Sequence, residues 1–91
     1  MPQFLIERNF GNVTPEDVGK AGSSSKHTAN ERFPEIVWER SHAVETPSGL
    51  VTFCVYQAPS EQYIRDHAQA AGLPCDRVQL IAQTVGPDDF E

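Results

Sequence analysis

Apolar and polar residues alternate with period two in four stretches of this chain and take helical spacing in two others. Residues 3–9 open with Phe4, Leu5 and Ile6 and continue with Glu7 and Arg8. A strand that starts apolar on both faces reads as a central strand. Residues 35–45 put Ile36, Trp38, Arg40, His42 and Val44 on one face and Val37, Glu39, Ser41 and Ala43 on the other. That predicts a long edge strand with one mostly polar side. Thr46-Pro47-Ser48-Gly49 predicts a hairpin turn into a strand over 50–57, rich in β-branched and aromatic residues. There Val51, Phe53 and Val55 share one face, and Thr52, Cys54 and Tyr56 share the other. Residues 77–85 alternate once more, with Val78, Leu80 and Ala82 opposite Gln79, Ile81 and Gln83.

The two helical stretches carry their own start and stop signals. Thr14 precedes Pro15, Glu16 and Asp17, which supplies a cap, a proline at the first helical position and acids at the positive end of the dipole. This helix runs on to about Arg32, since Pro34 disfavours helix before it. Its middle, Gly19, Gly22 and Ser23-Ser24-Ser25, has low propensity, so a break there is the alternative. Ser60 caps the second helix, with Tyr63 where a glutamate would complete a capping box. Ile64, His67, Ala68 and Ala71 recur at i, i+3, i+4 and i+7, and Gly72 stops it.

The order strand, helix, strand, strand, helix, strand with right-handed crossovers predicts a ferredoxin-like α+β sandwich. Its four-stranded antiparallel sheet has order 4-1-3-2, with both helices on one face. All 91 residues form one domain, with residues 86–91 as a loose acidic tail. The other face of the sheet is left uncovered. Apolar residues there, among Leu5, Trp38 and Tyr56, predict closure by a second subunit and hence a homodimer.

Charge narrows the partners. Seven basic and thirteen acidic residues give a formal charge of −6. No Lys/Arg cluster exists to neutralise phosphates, which argues against nucleic acid and against anionic membrane surfaces. No apolar run approaches the roughly 18 residues of a membrane span, and no signal peptide is visible, so the cytoplasm is the expected compartment. In that setting Cys54 and Cys75 read as free thiols.

No CxxC, HExxH, GxGxxG, Walker loop or nucleophile elbow is present. The candidate chemistry is a loose set of donors: Cys54 in a strand, His67 on the second helix, Glu7 on a central strand and His42 on the edge strand. For Cys54 the plain alternative is a small buried hydrophobe, and for His67 a hydrogen-bonded core imidazole. His42, on an edge strand, and His27, in the weak part of the first helix, read as surface residues. A carboxylate on a central strand, such as Glu7, has to be paired, ligated or aimed at a cavity. A thiol with imidazoles and carboxylates suits nickel, copper or zinc better than magnesium or calcium.

Several runs taken together resemble a known family: Phe4-Leu5-Ile6-Glu7-Arg8, the Trp38 to Ser41 strand, Cys54-Val55-Tyr56-Gln57-Ala58-Pro59, Arg65-Asp66-His67-Ala68 and Gly72-Leu73-Pro74. They resemble a family of small bacterial proteins with a domain-of-unknown-function label that includes an actinobacterial nickel-binding protein. The resemblance implies a ferredoxin-like fold, a homodimer and, for at least one member, nickel binding. It implies Glu7, Cys54 and His67 as positions of the family's polar signature, with His42 as the candidate if a strand histidine is a ligand. The Ser-rich first helix with His27 is particular to this chain. The reading that follows is binding of a divalent transition metal, nickel first, for storage, buffering or sensing. The alternative is a small cofactor-free oxygenase or isomerase with a pocket between sheet and helices. In that case Glu7 or His67 would be the base, and Tyr56, Tyr63 and Trp38 would line or orient.

Overall fold

The four strands pair into one antiparallel sheet, β1 (Gln3–Gly11), β2 (Val37–Thr46), β3 (Gly49–Gln57) and β4 (Arg77–Leu80), in the order β2-β3-β1-β4. Read from the other edge this is the expected order 4-1-3-2, and the fold is the ferredoxin-like βαββαβ sandwich. The computed structural model describes residues 1–91.

Helix α1 (Pro15–Arg32) starts where the sequence signals it. Thr14 Oγ1 accepts from Asp17 N at 3.2 Å, and the Asp17 carboxylate accepts from Thr14 N at 3.0 Å. The Thr14 hydroxyl also donates to that carboxylate at 3.0 Å, and the two bonds it accepts from Thr14, backbone and side chain, hold the Asp17 carboxyl below its ordinary pKa. The helix passes through Gly22–Ser25 without a break. Helix α2 (Glu61–Ala71) is capped by Ser60, whose Oγ accepts from Tyr63 N at 3.2 Å. It stops at Gly72 with φ 70°, a left-handed conformation that favours glycine.

The core lies between the helices and one face of the sheet: Phe4, Ile6, Cys54, Tyr56, Ala58 and Val78 from strands and their ends, and Ile64 from α2. Its members on β1 and β3 are even-numbered, as period two requires. No helix is long and apolar enough to cross a membrane.

Two boundaries differ from the sequence expectation. The last strand ends at Leu80 rather than near Val85. Its partner β1 begins at Gln3, whose carbonyl takes the amide of Ile81 at 2.9 Å, and beyond it Pro2 has no N–H to offer. At the C-terminus, Pro87–Asp89 forms a single 3-10 turn closed by Gly86 N donating to the Asp89 carboxylate at 2.6 Å.

The β2–β3 hairpin docks on the end of β1 through two glycines. Gly49 has φ 116°, and a Cβ at this position would fall inside contact distance of the Gly11 backbone. A side chain there therefore meets backbone strain and a clash with main chain that cannot rotate away. Gly49→Ala is expected to destabilise the fold by about 1–3 kcal/mol. Urea unfolding of the two proteins, compared at equal slope, measures it.

Candidate functional site

A single bulge decides which side chains can meet. Trp38 pairs with Tyr56 but Arg40 pairs with Val55, so Glu39 is an extra residue in β2. From there onward Ser41 lies opposite Cys54 and His42 opposite Phe53. The uninterrupted alternation read from sequence put Trp38, Arg40, His42 and Val44 on one face. The bulge separates them: Trp38 and Ser41 face the helices, joined by a bond from Trp38 Nε1 to Ser41 Oγ of 2.9 Å, while Arg40, His42 and Val44 face outward.

Period two divides β1 in the same way. Phe4, Ile6 and Arg8 pair with Tyr56, Cys54 and Thr52 on the helix side, and all six are buried. Leu5 and Glu7 pair with Val55 and Phe53 on the open side. Glu7 and Cys54, candidate donors on neighbouring strands, lie on opposite faces. Tyr56, offered with Trp38 and Leu5 as a residue of the uncovered face, is instead 2 % exposed beneath the helices. Of those three, Leu5 alone is on the open face.

The candidate donors are thus divided. Glu7 and His42 flank Phe53 on the open face, and Cys54 and His67 are buried on the other. No group of three or more His, Cys, Asp or Glu side chains converges within one chain. Cys54 Sγ donates to Thr52 Oγ1 at 3.6 Å, and Cys54 and Cys75 are both free. Tyr63 uses its hydroxyl to accept from Glu35 N at 3.3 Å and stacks edge-on with Phe33. His27 is exposed beside Glu31 on α1.

The helix side instead holds a polar node that the sequence did not announce. Ser25, the buried residue of α1, has its hydroxyl 3.0 Å from the Tyr56 hydroxyl, and its carbonyl accepts from His67 Nε2 at 3.0 Å. A carbonyl can only accept, so Nε2 carries the proton and Nδ1 is the bare nitrogen. Nδ1 is buried without a partner. Burial pulls the imidazole below its ordinary value, and the nearby Arg8 charge adds to that against the bond to Ser25.

Arg8 is the second unannounced residue. Its side chain is 2 % exposed on the central strand, with Nη1 donating to Pro74 O at 2.9 Å and the guanidinium 5.7 Å from the Tyr56 ring centre. Beside Arg8, Cys54, Tyr56 and Trp38, a cavity of about 360 Å³ opens between α1 and the sheet. The enzymatic alternative called for a pocket in this position, but neither Glu7 nor His67, its two proposed bases, lines it.

The His67 geometry gives a pH dependence. The folded imidazole resists protonation more than the unfolded one, so the unfolded state takes up more protons below the ordinary histidine pKa. Stability present near pH 7 is therefore lost as pH falls toward 5, by at most about 1.4 kcal/mol per pH unit for this one group. In His67→Gln that share of the slope is expected to vanish, whatever the variant's absolute stability. Urea unfolding at pH 7, 6 and 5 reads it.

Comparison with known proteins agrees with this architecture. The sequence model of the family described as "Nickel responsive protein SCO4226-like" matches residues 4–81. Comparison with curated protein sequences returns no match. Among solved structures, SCO4226 from Streptomyces coelicolor A3(2) superposes with a TM-score of 0.72 at 18 % identity, over 91 % of this chain and 99 % of that one. At that identity the likeness speaks for the fold. The family match spans most of the chain, and the protein belongs to the nickel responsive SCO4226-like family.

Proposed function

We propose that this protein binds nickel as a homodimer closed through the open sheet face, with donors from both copies. The observation that carries this reading is the match of residues 4–81 to a family described as nickel responsive. The geometry then restricts how an ion could be held. Within one copy the donors do not fit a nickel site, because no three of them converge, whereas transition-metal sites take four or more ligands.

Glu7 and His42 are the candidates outside the core. They stand on either side of Phe53 in one row across β1, β3 and β2, about 10 Å apart by strand spacing. Phe53 stands between them, and two donors alone do not complete a transition-metal site. A second copy laid on this face would bring two further carboxylates and two further imidazoles into the same layer. Apolar side chains stand on this face: Leu5 and Phe53 are half-buried at its centre, Val51 and Val55 are buried beside them, and Val37 and Val44 are exposed at 45 % and 42 % on β2. A net charge of −6 favours a cation on the outside of the protein.

Calorimetric titration of tag-free, metal-stripped protein with nickel, paired with sedimentation velocity, tests the reading. Uptake at a fixed ratio per dimer is expected, weakening between pH 7 and 5 as imidazoles protonate. His42→Ala and Glu7→Gln are each expected to weaken it by about tenfold or more, and Cys54→Ala to leave it unchanged. A monomer with and without nickel, or uptake indifferent to both outer-face variants, overturns the proposal. Uptake lost in Cys54→Ala places the site on the helix side instead.

A further inference from the structure

We propose that the cavity between α1 and the sheet is a binding site for a small organic monocarboxylate with a compact apolar body, its carboxylate held by Arg8. This reading is independent of nickel binding, which concerns the opposite face of the sheet.

Arg8 is a charged side chain in the least suitable place for one. It sits on the central strand β1, flanked by β3 and β4, and is 2 % exposed. The acid–base contacts in the chain are His27 with Glu31 and Arg65 with Glu61, both on helix surfaces. No carboxylate faces the guanidinium. Nη1 donates to the Pro74 carbonyl, and Nη2 is buried with no acceptor at all. A neutral carbonyl and the face of Tyr56 offset part of the desolvation, but a buried guanidinium calls for an anion.

Arg8 lines the cavity of about 360 Å³, which falls within the range of roughly 300–1,000 Å³ typical of small-molecule sites. The rest of the wall suits a hydrocarbon more than a phosphate. Phe10, Val18, Ala21, Leu73 and the rings of Trp38 and Tyr56 supply apolar surface. Beside them Thr52 and Ser25 bring hydroxyls already engaged with Cys54 and Tyr56. One buried positive charge in an apolar chamber selects a single negative charge carried on an apolar body. Lys26 and Ser23 also line the cavity but are exposed to solvent, so Arg8 is the buried charge that a ligand meets, and a polyphosphate would find one desolvated cation for several charges. A second hollow of about 320 Å³ shares Ser25, Lys26, Trp38 and Tyr56 with the first and extends under the second half of α1. It gives room for a longer tail.

Trp38 is the chain's only tryptophan and lines both hollows, so it reports on occupancy directly. Metal-stripped protein, dialysed free of chelator because chelators are themselves carboxylates, is titrated with benzoate, phenylacetate and hexanoate. Benzamide and phenylacetamide serve as neutral isosteres, and inorganic phosphate as a bare anion. Trp38 fluorescence and thermal stability are both followed. The expected result is a saturable fluorescence change and a rise in Tm with at least one carboxylate. The matching amide and phosphate should bind about tenfold or more weakly. Arg8→Gln is expected to remove the preference for carboxylate over amide. Where Arg8→Gln fails to fold, Ala21→Phe, which fills the chamber from α1 without touching Arg8, is expected to abolish the response with the helical signal intact. No saturable response to any carboxylate up to about 10 mM overturns the proposal and leaves a solvent-filled hollow. Equal binding of acid and amide overturns the role of Arg8, and binding unchanged in Ala21→Phe overturns the location.

Discussion

The attachment of α1 to the rest of the molecule rests on Ser25, whose hydroxyl meets Tyr56 of β3 and whose carbonyl meets His67 of α2. It is the buried residue of an eighteen-residue helix, so apolar burial contributes little to docking this element. Two buried polar bonds do the work that a stripe of leucines does elsewhere, and bonds of this kind demand a fixed geometry where apolar contact would tolerate sliding. The same pivot explains the hollows. A helix held at a short polar side chain, with Gly22 beside the Trp38 ring, stands over the sheet without filling the space on either side. The cavity is a consequence of how α1 is fastened.

The elements themselves were legible because their signals are local. Thr14 and Ser60 name the helix starts and Gly72 a helix end, while alternation over residues 50–57 marks the strand beside β1. From these the topology follows with few alternatives. What the sequence hid is which face each side chain takes. Period two carries no absolute direction, so Glu7 and Arg8 compete equally for the inside until β1 is placed against β3. The pairing of Ile6 with Cys54 settles it in favour of Arg8. In β2 the bulge at Glu39 inverts every position after it, and nothing in Trp38-Glu39-Arg40-Ser41 signals an extra residue. That one insertion moves His42 to the open face and leaves Trp38 inside. Ser25 was missed for a different reason. Gly22-Ser23-Ser24-Ser25 reads as a weakness by helix propensity, whereas here small residues are what allow the helix to approach Tyr56 and Trp38.

The charges of this protein are sorted by depth. Its surplus of thirteen acids over seven bases lies on the surface, while the buried charge is positive and belongs to Arg8. His67, the other buried titratable base, is held neutral by that same desolvation and by the Arg8 field, so the interior keeps a single cation. Such an arrangement is costly for folding. An apolar residue of similar volume at position 8 would pack against Tyr56 and leave no donor unsatisfied, and exchanges of this type are often neutral or stabilising. The Nδ1 of His67 repeats the pattern, since it too is buried without a partner. A donor and an acceptor left open on the helix side, together with a chamber beside one of them, are what a binding site gives up in stability to be ready for its ligand. The outer face shows the opposite economy: its valines and Phe53 cluster around Glu7 and His42, side chains that water satisfies at little cost until another surface covers them. The sheet therefore separates two chemical environments, a buried cation beside a hollow on the helix side and a carboxylate and an imidazole among apolar side chains on the open side.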